Sequence, residues 1–162
     1  MINLVPSSRP CGGCTACCQG HLTGEAYGQK FYPGKPCAFV TQRGCNIYMV
    51  RPKDPCVSFK CAFKYKHNIP DWVRPDRSNV IFVERVFEGM SYLHGSDTGK
   101  QPVPELFEWA KTWAQQKQTY VLVPRTVMRL TAPENYSISI YGPDDKFREA
   151  YTQKTSIATV VD

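Results

Sequence analysis

The sequence predicts an α+β chain, in which a cysteine-rich loop module packs on a small mixed or antiparallel sheet carrying one amphipathic helix. Three observations lead there. All eight cysteines fall between Cys11 and Cys61, among glycines and prolines that favour irregular loops. Beyond residue 79 the texture changes to runs of β-branched and aromatic residues, which read as strands. One segment after Pro104 repeats its apolar residues at helical spacing.

The 162 residues suit one domain, or one domain with a substantial subdomain. We divide them into 1–78, the cysteine-rich module, and 79–162, a small α/β subdomain packed against it. An apolar fraction of 42% is ordinary for a folded globular protein. Much of it lies after residue 79, so the first part needs something besides packing to hold its shape. No run approaches the eighteen or so apolar residues that span a bilayer. The opening MINLVPSSRP lacks the basic start and apolar stretch of a secretory signal. A reducing cytoplasm, away from membranes, is the expected location, and there thiols meet metals more often than each other.

Taken in order, residues 1–10 read as a short polar leader. Residues 11–36 hold the first cysteines, then Gly20, Gly24, Gly28, Pro33, Gly34 and Pro36, a composition for loops. In 37–61 two apolar pieces, 38–40 and 46–50, precede Pro52 and Pro55. Short strands or single helical turns between cysteine-bearing loops are expected there. Residues 62–78 form a polar, aromatic connector. Residues 79–87 (NVIFVERVF) read as a strand, with 90–94 pairing to it across the tight turn Glu88-Gly89. Pro104 suits the first turn of a helix running to about Gln116. Leu106, Trp109, Ala110 and Trp113 make its single apolar stripe, and the tryptophans are expected as core anchors. Strands are expected at 119–123, 127–130 and 136–141, a short helix at 147–153, and a last strand at 157–161.

The chemistry lies in the cysteines. Cys11-Gly-Gly-Cys14-Thr-Ala-Cys17-Cys18 places four thiols in eight residues, and Cys37, Cys45, Cys56 and Cys61 follow. Disulfides fit poorly, because a bridge between the neighbours Cys17 and Cys18 would close a strained ring. Two four-thiolate zinc sites would use all eight, and C-x2-C is a standard chelating knuckle. Cys11, Cys14 and Cys17 also stand in the C-x2-C-x2-C register that gives three of the four ligands of cubane iron–sulfur clusters. Zinc and iron–sulfur therefore both stay open. Side chains of adjacent residues point in different directions, so Cys17 and Cys18 are expected to serve different centres, unless one of them is not a ligand, and two centres close together are expected. Cys37, Cys45, Cys56 and Cys61 need not form a set of their own, since interleaved ligation would staple the two loops together.

The eight cysteines, with Ile47, Tyr48, Arg51, Pro52 and Phe59, resemble the YkgJ-like CxxCxxCC family of zinc- or iron-chelating domains. The resemblance covers residues 11–61 and implies metal chelation by Cys11, Cys14, Cys17, Cys18, Cys37, Cys45, Cys56 and Cys61. Similar cysteine patterns occur in iron–sulfur-containing protein lysine methylases of the flagellin-modifying type, although this chain shows no Gly-rich cofactor loop.

Around the cysteines, Arg51 is a candidate to offset thiolate charge, with an ordinary surface ion pair as the alternative. His21, His67 and His94 are expected to be solvated side chains rather than ligands. Lys60, Lys64, Lys66, Arg74 and Arg77 interleave with Phe63, Tyr65 and Trp72, which would suit nucleic acid or, more simply, a solvated face. The formal charge of +6 counts cysteines as neutral. Two four-thiolate zinc sites would lower it to about +2, so the basic surplus is weak support for a nucleic-acid partner. No Ser-His-Asp arrangement, P-loop or dinucleotide fingerprint is present. Glu84, Glu88, Asp97, Glu105 and Glu108 form no recognisable acid–base pair. The leading expectation is a metal-binding protein holding an iron–sulfur cluster or zinc. The alternatives are a zinc-stabilised module for binding nucleic acid or protein, and a cluster-dependent redox or protein-modifying enzyme.

Overall fold

The computed structural model describes residues 9–19, 21–32, 34–128, 130–156 and 159–162. The fold class is α+β. In the first part, regular structure is brief, as Gly- and Pro-rich sequence dictates. One hairpin joins β1 (Gly24–Ala26) to β2 (Gln29–Phe31), and a smaller one joins β3 (Val40–Thr41) to β4 (Gly44–Cys45). Single helical turns follow at Tyr48–Val50 and in α1 (Ala62–Tyr65), Asp71–Val73 and α2 (Pro75–Ser78).

The second part is a five-stranded mixed sheet. Its backbone is the hairpin of β5 (Val80–Phe87) and β6 (Met90–Asp97), paired from Val80↔Asp97 to Phe87↔Met90. The chain then crosses through α3 (Glu105–Lys117) to β7 (Tyr120–Pro124), which lies parallel to β6. β8 (Ser137–Tyr141) runs antiparallel to β7. After α4 (Lys146–Lys154), β9 (Thr159–Val160) adds in parallel to β8.

Strand alternation gives the sheet two apolar faces. On one, Leu106, Ala110, Trp113 and Ala114 of α3 pack with Leu93, Val121 and Val123. On the other, Phe147 of α4 packs with Tyr92, Leu122, Ile138 and Ile140. The helical stripe therefore does what its spacing predicts, and Trp109 stands edge-on or tilted to Trp72, Phe82 and Trp113. The first core also takes in Ala16, Cys61, Ala62, Phe63, Ile69 and Val73, so residues on both sides of position 79 share it.

The structure corrects the sequence reading in two places. Residues 127 and 128 are not in a strand. Leu130 N–H turns back to the Val127 carbonyl, and Met128 N–H goes to Asp97 Oδ2, so the backbone is satisfied locally instead of by a ladder. The connector 62–78 is largely helical turns, and it buries Ile69 and Val73 at 1% exposure each. Of the last strand, expected at 157–161, Thr159–Val160 is described; Ile157 and Ala158, like the leader residues 1–8, lie outside the described residues. Among the described residues, no helix is long and apolar enough to cross a membrane.

Candidate metal centre

Cys11 and Cys14 bracket a tight turn in which Cys14 N–H donates to the Cys11 carbonyl. Gly12 holds φ +62° there, and a Cβ at this position would stand 2.8 Å from Arg74 Nη1. The left-handed backbone of the turn favours glycine here, with the guanidinium end of the Arg74 side chain lying over it. Thr15 and Ala16 are buried and lead into a single 3₁₀ turn, Cys17–Gln19, fastened by Gln19 N–H to the Thr15 carbonyl and by Gln19 Nε2 to Thr15 Oγ1 at 2.6 Å.

The later cysteines are brought to this turn by backbone bonds. Cys37 N–H donates to the Cys18 carbonyl at 2.9 Å, joining the two loops directly. Cys45 sits on β4 opposite Val40. Cys56 lies in the irregular turn Lys53–Val57. Cys61, buried at the start of α1, pairs as a bridge with Val83 of β5 and so touches the sheet.

These segments enclose two adjoining cavities. The inner, of about 40 Å³, is bordered by Cys11, Cys14, Cys17, Cys56 and Cys61, with Phe59, Phe63, Ile81 and Lys64. The outer, of about 60 Å³, is bordered by Cys11, Cys14, Cys17, Cys18, Cys37, Cys45 and Cys56, with Leu22, Phe31, Tyr48 and Arg51. Each exceeds the ~10–15 Å³ that one water needs. Every predicted cysteine therefore borders at least one cavity, and none of the three histidines borders either.

The thiols surround these spaces without converging on a point. Among the described residues, no three His, Cys, Asp or Glu side chains form a group placed to hold a metal ion. The sulfurs of Cys17 and Cys18 do meet, 3.9 Å apart. This corrects the expectation that neighbouring side chains diverge. In a 3₁₀ turn successive side chains are separated by about 120°, not the 180° of a strand, and the two sulfurs stay in contact.

Without a bound metal ion, electrostatics favour neutral thiols at Cys14, Cys17, Cys45, Cys56 and Cys61. Burial pushes Cys14 up to about 11 and raises Cys45, Cys56 and Cys61 as well. Cys17 is raised chiefly by its contact with Cys18, whose own affinity for the proton falls to about 7 through the same contact, with help from Arg51. A bound metal cation inverts this balance and deprotonates its ligands.

Two cations stand at the cavity walls. Arg51 borders the outer one, stacked 3.9 Å from the centre of the Tyr48 ring, with Nη1 donating to the Tyr48 carbonyl at 2.6 Å. Among the described residues it makes no ion pair, so the surface salt-bridge alternative does not hold. Lys64 borders the inner cavity and is only 7% exposed. Sequence reasoning assigned it to a solvated basic stretch. The available signal was its spacing: Lys64 follows Cys61 by three residues and shares its face of one helical turn. The rest of that stretch is equally broken up. Arg74 is held by both oxygens of Asp76, Lys66 faces Glu84, and Trp72 packs on Trp109. No family model matches this chain, and neither does any curated protein or solved structure.

Proposed function

We propose that the eight cysteines bind metal as thiolates within residues 11–61, holding an iron–sulfur cluster or zinc at two adjoining centres. One observation carries the reading: all eight cysteines border two adjoining, largely apolar cavities. A soft-ligand set of this size matches the ligand chemistry of zinc and of iron–sulfur groups. The resemblance of residues 11–61 to the zinc- or iron-chelating family points the same way.

Zinc and iron–sulfur both suit an all-thiolate set: a tetrahedral zinc site takes four sulfurs about 3.8 Å apart, and a cluster is held by thiolates around its inorganic core. When bound, such a group supplies electron transfer, or Lewis-acid chemistry at an iron with an open position. The chain's own part is to exclude water with Phe59, Phe63 and Phe31 and to balance charge with Lys64 and Arg51.

Anaerobic purification of the full chain, followed by metal and sulfide analysis and a visible spectrum, tests this. A brown protein with broad absorption near ~400 nm would select iron–sulfur. A colourless protein with about two zinc per chain would replace iron by zinc and keep the thiolate reading. A metal-free chain with eight freely reactive thiols would end it.

A further inference from the structure

We infer that the eight cysteines divide into two interleaved sets of four: Cys11, Cys14, Cys17 and Cys61 around the inner cavity, and Cys18, Cys37, Cys45 and Cys56 around the outer. The inference rests on the metal-thiolate reading above and adds which ligands share a centre.

Geometry settles most of the division. Cys61 borders only the inner cavity, whereas Cys18, Cys37 and Cys45 border only the outer. The other four border both. Two sets of four then require three of these shared thiols inside and one outside. The C-x2-C-x2-C register of Cys11, Cys14 and Cys17 wraps three corners of one centre, while the remaining cysteine of such a run goes to its neighbour. That places Cys18 outside, as its position already demands, and leaves Cys56 to complete the outer set.

Two consequences follow. The chain passes from one centre to the other between Cys17 and Cys18 and again between Cys56 and Cys61, so the two are adjacent, with sulfurs in contact at 3.9 Å. Each set also has its own cation. Lys64 serves the inner set, which Cys61 ties to β5, and Arg51 serves the outer set, which single turns and the short β3–β4 hairpin carry.

Graded chelation of the wild-type protein under anaerobic conditions, with iodoacetamide present and alkylated cysteines mapped by mass spectrometry, tests the division. Cys18, Cys37, Cys45 and Cys56 should become reactive together with loss of half the metal, and the other four in a second step. Reactivity that groups Cys17 with Cys18, or Cys56 with Cys61, would overturn the division while leaving metal binding intact; so would all eight reacting at once. Absence of metal in the untreated protein would instead overturn the underlying reading. Lys64→Met and Arg51→Met give a second measure that spares every ligand. Each should shift the spectrum or potential of a different centre, and both acting on the same centre would count against the assignment.

Discussion

His94 lies in the middle of β6, half-buried, with Nδ1 3.4 Å from the Tyr92 hydroxyl. Burial, helped by the charge of Arg85, pushes its proton affinity down from 6.5 to about 4. The folded state therefore binds a proton less readily than the unfolded chain, so stability from this residue is full above pH 6.5 and is lost as pH falls toward 4. Between pH 7.5 and 5 the loss should be about 2 kcal/mol. Urea denaturation of wild type and His94→Gln at both pH values checks this: the wild type should lose that much more than the variant, and equal losses would refute it. At this same scale, the candidate ligands were legible in the sequence but not their surroundings. Cysteine spacing points to metal chemistry because chelation favours fixed intervals. The burial of Lys64 depends on α1 folding against β5, and the contact between Cys17 and Cys18 depends on a 3₁₀ turn, so neither was visible in composition.

Elements with strong periodicity were legible, and those decided by tertiary contacts were not. The β5–β6 hairpin and the stripe of α3 came through because alternation and helical spacing each match one buried face. Residues 127–130 carry strand-like side chains, yet Asp97 captures the Met128 N–H and leaves no ladder to join. The connector 62–78 looked polar because its buried residues, Ile69 and Val73 among them, are scattered between polar and charged ones. Gly95 shows what the parallel junction of β6 and β7 requires. A Cβ there would lie 2.6 Å from the Leu122 carbonyl oxygen and 2.9 Å from Phe82 Cε1. The carbonyl is backbone and cannot step aside without spreading the strands. Gly95→Ala should lower stability by about 3 kcal/mol, at the high end for a single substitution. Chemical denaturation would read this, and a change below about 0.5 kcal/mol, typical of surface sites, would show that the junction relaxes freely.

Across the whole molecule, apolar packing is divided unequally. The sheet has a core on each face, one under α3 and one under α4. The outer loops have a small cluster of their own, with Ala26, Phe31 and Cys37 as its buried members. Their hairpins are two or three residues per strand, and isolated two-stranded hairpins are marginal in water at best. If thiolate–metal bonds supply the missing stabilisation, removing the metal should act locally. Structural metal binding contributes on the order of 10 kcal/mol where folding depends on it, which is more than these hairpins can replace by packing. Hydrogen exchange on chelated, reduced protein should then show amides of 24–31 and 40–45 losing protection by tenfold or more. Amides of β5 and β6 should stay close to their metal-loaded rates. Cys61 and its bridge to Val83 mark the border, and α1 should respond to an intermediate degree because it packs on β5 yet directly follows Cys61 of the inner set. Uniform loss across the sheet would mean that the metal holds up the entire fold, whereas unchanged protection in both hairpins would mean that the loops keep their shape without it.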